Sequence, residues 1–542
     1  MFCNQCEETA RGCACTARGV CGKDPETAGL QDVLIWVCRG LAARNIAATG
    51  GGKGNPEVGL FIAGALFGTL TNVDFDPDRI RRLIREAVAL RDLLPPAGPD
   101  EPAANAWAPA DDAAIRAKAD EIAADAAIDD DVHSLRTLLL AGLKGLAAYY
   151  YHAATLGYTD ETVTAFLERA LAADLRDLPA DELVGLAMEC GSVGVTTLAL
   201  LDKANTETFG HPAITTVRTT VGDRPGILVT GHELGDLKQL LDQTRDSGID
   251  IYTHGEMLPA HAYPAFRGYP QLVGNYGGAW WKQADEFARF NGPVLVTTNC
   301  IVPPREAYRD RIFTTGPAGY PGVPHIGMAR DGTKDFSPLI EVAKRSPPPE
   351  PLPGSGRELT TGCAHQAVDA IAGSVVDAIK SGAIRRFVVM AGCDGRQPER
   401  EYYTEFAQAL PQDTVILTAG CAKYRYNALD LGTAGGIPRV IDAGQCNDSY
   451  SLVAIAQQLA NAFGVGINDL PISYNIAWYE QKAVLVLLAL LSVGVKDITL
   501  GPRLPGFLSP GVLDVLVREF GLKRIATVGE DLARMVPSAA GG

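Results

Sequence analysis

The sequence predicts a multidomain α + α/β protein, with N-terminal helical bundles followed by two parallel-sheet α/β domains. Three observations carry that expectation. Apolar residues recur at helical spacing over residues 1–220. After Thr220, short apolar runs alternate with amphipathic helices, the pattern of βαβ units. The segment "SPPPEPLPGSGRE" (Ser346–Glu358) then reads as a linker dividing the α/β part. The expected domain limits are 1–220, 221–350 and 351–542.

Each helix has its own start signal. In "DPETAGLQDVLIWVCRGLAARN", Asp24 is the N-cap and Pro25 the first helical residue, with Leu30, Leu34, Val37 and Leu41 on one face. "DFDPDRIRRLIREAVALRDLL" repeats the device with Asp76 and Pro77, and its stripe is Ile80, Leu83, Ile84, Ala87 and Leu90. A Pro/Ala-rich stretch, Pro95–Asp112, interrupts the pattern. Helices resume at Ser134–Gly157, where Gly157 is the stop, and continue through "DETVTAFLERALAA" and "ADELVGLAMECGSVGVTTLALLDKAN". The expectation is two bundles joined by the proline-rich stretch. The cluster "GGGKG" (Gly50–Gly54) follows a helix and matches neither phosphate-binding glycine fingerprint, so it reads as a loop.

Composition narrows the function. The chain has 542 residues, 47% hydrophobic and 21% charged, as a globular protein does. Lys+Arg 48 against Asp+Glu 64 leaves −16, which argues against a nucleic-acid or anionic-membrane partner. The start "MFCNQCEETARGC" has no signal-peptide pattern. The longest apolar run, Ala483–Val495, is shorter than the ~20 residues of a spanning helix and reads as a buried helix. The expected location is cytoplasmic. There the 12 cysteines point to metal binding or redox chemistry rather than a disulfide framework.

The reactive side chains follow a rule. "GILVTG" runs into His232, "IDIYTHG" into Glu256 and "PVLVTTN" into Cys300. After the linker, "RFVVMAG" runs into Cys393, "TVILTAG" into Cys421 and "PRVIDAGQ" into Cys446. The carboxyl edge of a parallel sheet is where ligands bind, so two such edges could close on one shared cofactor. A single buried cysteine is usually a small hydrophobe. The joint set is harder to dismiss: it mixes soft thiolates with His and Glu and exceeds the needs of one tetrahedral zinc. It suggests a polynuclear iron cluster. Glu480 and Lys482 join the candidates at the start of the last apolar helix, although a carboxylate is also favoured there by the helix dipole alone.

A second set opens the chain: Cys3-x2-Cys6-x8-Cys15-x5-Cys21. Four thiolates in a compact loop suit a cubane cluster, while zinc or redox thiols remain alternatives at this point. Cys13 is a fifth cysteine in the loop and reads as a non-ligand, Cys38 and Cys190 as core, and Cys363 as core or helix start.

With these residues in place, the chain resembles the hybrid cluster protein family, also called prismane proteins or hydroxylamine reductases, from end to end. The N-terminal spacing looks like that family's cubane motif, and His232, Glu256, Cys300, Cys393, Cys421, Cys446 and the Glu480 of "WYEQKA" follow its order and intervals. The resemblance implies a helical domain followed by two Rossmann-like domains. It implies a [4Fe–4S] cluster on Cys3, Cys6, Cys15 and Cys21, and a hybrid [4Fe-2O-2S] cluster on the seven later residues. It further implies a persulfide at the Cys393 position and Lys482 close to the hybrid cluster. The implied reaction is reduction of hydroxylamine to ammonia and water, with Glu480, Lys482, Glu256 and His232 as the catalytic set. Electrons would come from a separate redox protein. Alternatives on the same cluster are nitric oxide reduction and redox or nitrosylation signalling; a nickel-dependent carbon monoxide dehydrogenase is disfavoured by the paired glutamates.

Overall fold

The helix starts written in the sequence form as expected in a computed structural model that describes residues 1–50, 54–96, 98, 101–125 and 131–537. Residues 51–53 of the glycine cluster and 97, 99 and 100 of the proline-rich stretch lie outside the described residues. Helix α1 (Pro25–Ala47) begins where the Asp24 carboxylate accepts the Thr27 N–H at 2.7 Å. It is followed by α2 (Pro56–Gly68) and by α3 (Pro77–Asp92), capped by Asp76 in the same way. Next come α4 (Asp112–Asp125), α5 (Asp131–Thr155), α6 (Glu161–Ala173) and α7 (Ala180–Phe209).

The grouping of these helices departs from the expected pair of bundles joined at the proline-rich stretch. α4 and α6, which follow that stretch, pack on α1 together with α2 and α3. α5 and α7 pair with each other, and α5 also packs on α2. Apolar faces choose partners by shape rather than by position along the chain, and the stretch is long enough to let them. By length and composition α7 would pass for a membrane span. Here its buried face includes Leu183, Ala187, Gly191 and Gly194, while Glu189, Lys203 and Glu207 are exposed.

Two sheets follow. The first contains β1 (Gly226–Thr230), β2 (Asp250–His254), β3 (Leu272–Asn275), β4 (Val294–Val296), β5 (Ile312–Thr315) and β6 (His325–Ile326), in the order β3-β2-β1-β4-β5-β6. The second contains β7 (Arg386–Val389), β8 (Thr414–Thr418), β9 (Val440–Asp442), β10 (Ile472–Ala477), β11 (Thr499–Gly501) and β12 (Lys523–Arg524), in the order β9-β8-β7-β10-β11-β12. All pairings are parallel, with Leu228 beside both Tyr252 and Val294 and Val388 beside both Ile416 and Ser473. β1, β2, β8 and β10 are buried along their whole length, as strands covered on both faces must be. Both sheets have the doubly wound order, which reverses between β1 and β4 in one and between β7 and β10 in the other. An antiparallel pair, Thr215–Arg218 with Glu358–Thr361, ties the entry of the first sheet to the segment after the linker.

The predicted buried apolar helix is α10 (Gln481–Ser492), reached after α8 (Leu234–Gln243) and α9 (Ser449–Phe463). α10 lies against both α5 and α7. Glycines make the approach possible: a Cβ on Gly145 would come within 2.6 Å of the Gln481 carbonyl oxygen, and one on Gly191 would collide with the Leu488 carbonyl. The helical region thereby grips the element that carries Glu480 and Lys482.

Two predictions follow from this packing. Gly191→Ala should destabilise the protein by about 1–3 kcal/mol through overpacking, read as a lowered denaturation midpoint. Glu168, buried on α6, is pushed up to about 7 by burial despite the Asn45 amide donating to both its oxygens at 2.9 and 3.0 Å. The folded state therefore keeps a proton that the unfolded state releases above the ordinary glutamate value. Stability falls as pH rises from that value to about 7. Glu168→Gln should remove the fall, raising stability at pH ~8 by up to about 3 kcal/mol with little change at pH ~4.

Candidate metal centre

Every donor predicted at a strand end lies on one cavity. His232, Glu256, Cys300, Cys393, Cys421, Cys446 and Glu480 line it together with Lys482, Tyr149, Trp280, Asn299 and Tyr479. His232 and Cys300 follow β1 and β4, and Cys393 and Glu480 follow β7 and β10, so four donors sit at the two switch points. Glu256, Cys421 and Cys446 follow the neighbouring strands β2, β8 and β9. Glu480 thus obeys the strand-end rule as well: β10 escaped the sequence reading, although "ISYNIA" is β-branched and aromatic enough to have signalled it. Glu480 is at once the residue beyond that strand and the N-cap of α10, accepting the Lys482 N–H at 2.7 Å.

The Ala-Gly before Cys393 and Cys421 has a steric cause. Gly392 and Gly420 have φ of +107° and +87°, and a side chain on either would strike backbone, the Ala477 carbonyl in one case and the Gly392 carbonyl in the other. Only glycine lets three strand ends crowd this closely while the chain swings its next residue into the gap.

Hydrogen bonds across the gap hold the two rims face to face. The Gln445 side-chain amide donates to the His232 carbonyl at 3.1 Å and to the Glu256 carbonyl at 2.8 Å. The Cys446 N–H donates to Glu256 Oε2 at 2.7 Å, and Asn299 Nδ2 to Glu480 Oε1 at 3.3 Å. Tyr424 donates to the Gly255 carbonyl at 2.7 Å, and Trp280 and Trp281 donate to the Asp394 carbonyl and carboxylate at 2.9 and 2.8 Å.

The protonation states suit a cation. His232 accepts no proton easily: burial and then the Lys482 charge lower its pKa to about 4. Its Nδ1 lies 3.0 Å from Thr298 Oγ1, whereas Nε2 faces Lys482 Nζ at 3.2 Å and Cys446 Sγ at 3.4 Å. With Nδ1 as the donor, the Nε2 lone pair points into the site. Burial opposes ionisation of Glu256, but the Lys423 charge and the Cys446 N–H favour it and lower its pKa. Burial pushes the four thiols up, Cys446 to about 12, and neighbouring carboxylates add to the effect. Burial opposes the charge on Lys482, yet Cys446, Glu480, Cys300 and Glu256 outweigh it and raise its pKa above the usual lysine value.

The N-terminal cysteines form a second set. Cys3 and Cys15 pair through their backbones at 3.1 and 2.8 Å, and a short turn, Ala10–Gly12, brings the Ala10 N–H to 3.4 Å from Cys15 Sγ. Burial raises the Cys6 pKa, and the charges of Cys3, Cys21 and Cys15 raise it further, so the four thiols share one neighbourhood. Cys13 stands apart: it is exposed, and its thiol reaches only the Arg11 carbonyl, at 3.7 Å. Cys38 and Cys190 are core. Cys363 is buried, donates its N–H to the Asp442 carbonyl and does not line the cavity.

Tyr479 separates the two sets. It is fully buried, its pKa is raised by burial and by charges that include Cys6, Cys21 and Cys300, and its ring lies 4.6 Å from that of Trp280. The Gln481 amide donates to the Gln5 carbonyl at 2.6 Å. Buried Arg400 donates to the Cys393 carbonyl, the Trp478 carbonyl and Glu7, at 3.1, 2.6 and 3.1 Å. Several of these residues were not anticipated. Asn299 and Gln445 directly precede predicted donors, a signal that was available. Tyr149, which lines the cavity with Cys446, comes from α5, more than 80 residues upstream of His232, and no local pattern marks it.

The residues present fit a polynuclear iron centre. The nearest donor atoms of His232, Glu256 and Cys446 lie within 4.8 Å of one another. Glu256 Oε1 is buried and has no hydrogen-bond partner. A free buried carboxylate oxygen beside buried thiols is costly unless a cation meets it.

Comparison with known proteins agrees with this architecture. The Prismane/CO dehydrogenase family matches residues 1–533. The chain is 55% identical to a hydroxylamine reductase of Methanosarcina mazei, covering 98% of this chain and 99% of that one. It is 57% identical to a hydroxylamine reductase of Chlorobaculum tepidum, covering 99% of each. Among solved structures, carbon monoxide dehydrogenase IV from Carboxydothermus hydrogenoformans superposes with a TM-score of 0.58 at 17% identity, covering 98% of this chain and 91% of that one. At that identity the likeness speaks for the fold alone.

If the two donor sets hold iron separately, anaerobically prepared protein should carry about eight irons. Cys15→Ser should remove about half of them and leave the cleft loaded. Cys421→Ser should do the converse. Iron and sulfide quantitation with EPR distinguishes these outcomes from a single shared site, in which either change would empty both.

Proposed function

The chain belongs to the Prismane/CO dehydrogenase family, and from that premise we propose that it is an iron–sulfur oxidoreductase that reduces hydroxylamine to ammonia and water. The observation that carries this reading is the Lys482 side chain placed inside the mixed donor set, its Nζ 2.8 Å from Asn299 Oδ1 and 3.2 Å from His232 Nε2. In the proposal, Cys3, Cys6, Cys15 and Cys21 hold a [4Fe–4S] cluster. His232, Glu256, Cys300, Cys393, Cys421, Cys446 and Glu480 hold a hybrid [4Fe-2O-2S] cluster, with Cys393 as the persulfide position. The bound clusters supply electrons and a Lewis-acid iron.

The chain's own groups then do the following. Lys482 Nζ is fixed by Asn299 Oδ1 at 2.8 Å, His232 Nε2 at 3.2 Å and Glu480 Oε1 at 3.7 Å. It presents a positive charge and a proton to the oxygen leaving as hydroxylamine's N–O bond breaks. Two electrons and two protons complete the change to ammonia and water. Glu256 and Glu480 mark the harder, more exchangeable side of the site, and the thiols the rigid side. The walls of Trp280, Tyr479 and Tyr149 restrict the reactant to a few atoms. The electrons come from a separate redox protein, the chain having no nucleotide fingerprint.

A second reading, reduction of nitric oxide, is favoured by one observation. The cavity continues away from the donors along Val389, Leu452, Val453, Ile476, Val486 and Leu490. That apolar limb suits a small uncharged gas better than hydroxylamine.

With reduced methyl viologen as donor, each hydroxylamine consumed should yield one ammonia and oxidise two viologens. Lys482→Met should lower kcat by at least ~100-fold while iron content holds. A large preference for nitric oxide at matched electron supply would favour the second reading, and no turnover of either substrate by the iron-loaded protein would sink both.

A further inference from the structure

We propose that the outer face of the N-terminal cysteine loop is the docking surface for a small acidic iron–sulfur protein that delivers the electrons. The inference rests on the reductase reading above and deepens it by naming the partner's chemistry and its landing site.

Charge is sorted by side on this loop. Its two acids turn inward: Glu7 and Glu8 are 2% and 1% exposed. Glu7 accepts from Arg400 at 3.1 Å, and Glu8 accepts from Arg396 at 3.0 Å and from the Tyr479 hydroxyl at 3.3 Å. Its two arginines turn outward. Arg11 and Arg18 are exposed, and neither has an ion-pair partner among the described residues. Arg18 only donates to the Gly22 carbonyl. Around them Thr16, Ala17 and Val20 are exposed, Val20 by 42%. The loop thus shows two unpaired guanidinium groups around small exposed residues, and arginine is the side chain enriched where proteins meet.

The surroundings of the loop are charge-balanced. Gly12 backs onto Gly506, three residues beyond Arg503, and Gly22 packs on Pro303, two residues before Arg305. Arg503 and Arg305 pair with Glu399 and Asp285 at 2.6 and 2.7 Å, which leaves Arg11 and Arg18 as the unpaired cations here. On a chain of net charge −16, Arg11 and Arg18 are two exposed cations with no acid paired to them among the described residues. An acidic partner repelled by the rest of the surface would be steered to them.

Depth supports the same assignment. Cys6, Cys15 and Cys21 lie directly beneath the exposed residues, and a Cβ on Gly19 would sit 3.0 Å from Cys21 Sγ. A donor seated here is separated from the thiols by one layer of chain. Behind them, Tyr479 leads to the second set. Each docked partner is oxidised by one electron, and two such events supply the pair that cleaves the N–O bond.

The test uses anaerobically purified, iron-loaded protein and a reduced ferredoxin of strongly negative net charge, with affinity measured by calorimetry. Between about 20 and about 200 mM salt the dissociation constant should rise roughly tenfold. The double variant R11E/R18E should weaken binding by about tenfold or more at low salt, whereas R11K/R18K should retain it. Viologen-driven turnover and iron content should be unchanged in both, since viologen needs no protein docking site. If R11E/R18E loses iron, the salt dependence of the unaltered protein and the lysine variant decide. Absence of ferredoxin binding at low salt, or equal binding by the charge-reversed variant, overturns the proposal. Charge-dependent binding in a protein that fails to turn over hydroxylamine would support the docking surface and sink the reductase reading instead.

Discussion

Hydrogen bonds between two strand-end rims close the centre of this molecule, and the Gln445 side-chain amide makes two of them. By donating to the carbonyls of both His232 and Glu256 it fastens the end of β9 to the ends of β1 and β2. Two parallel sheets, each with its carboxyl edge open, thereby share one crevice in place of two. Joined face to face they leave one gap into which seven metal-competent side chains project. Strand ends suit this task because the backbone there leaves the ladder while the rest of the strand stays locked in a buried sheet.

Such a concentration of buried polar groups is expensive to fold. Glu256 is ionised, its Oε1 is unpartnered, and the thiols are pushed up by burial and by neighbouring carboxylates. Lys482 offsets part of the negative charge, and its own pKa is raised in return. A cation bound among these donors would match the remainder and would link metal binding to the stability of the two-sheet interface. The helical region takes part in the same balance: α5 and α7 grip α10 through close glycine contacts and so fix the position of Glu480 and Lys482. A bundle that looks like a separate unit in the sequence is a wall of the site.

The two thiol sets are structurally connected. Tyr479 lies between them, and Arg400 reaches from Glu7 in the N-terminal loop to the Cys393 carbonyl. The loop that begins the chain is therefore fastened to the residues just before α10, nearly five hundred positions later. Its buried face carries Glu7 and Glu8 into these contacts and its outer face carries Arg11 and Arg18. A single short segment thus faces the centre and the solvent with opposite charge.

Much of this was legible in the residue order. Asp-Pro pairs started α1 and α3, and apolar runs ending in His232, Glu256, Cys300, Cys393, Cys421 and Cys446 announced strand ends, because capping and strand burial are governed by neighbours in the chain. The same reasoning missed β10 and overlooked Asn299 and Gln445 beside their donors. It had no means of finding Tyr149, whose relation to Cys446 spans almost three hundred residues. Local physics determined which elements form and where each reactive side chain leaves its strand. Only tertiary packing decided that two rims face each other, that α10 is gripped by helices from the first half, and that Lys482 meets His232. Those outcomes depend on shape and charge matching between surfaces distant in sequence, which no local pattern encodes.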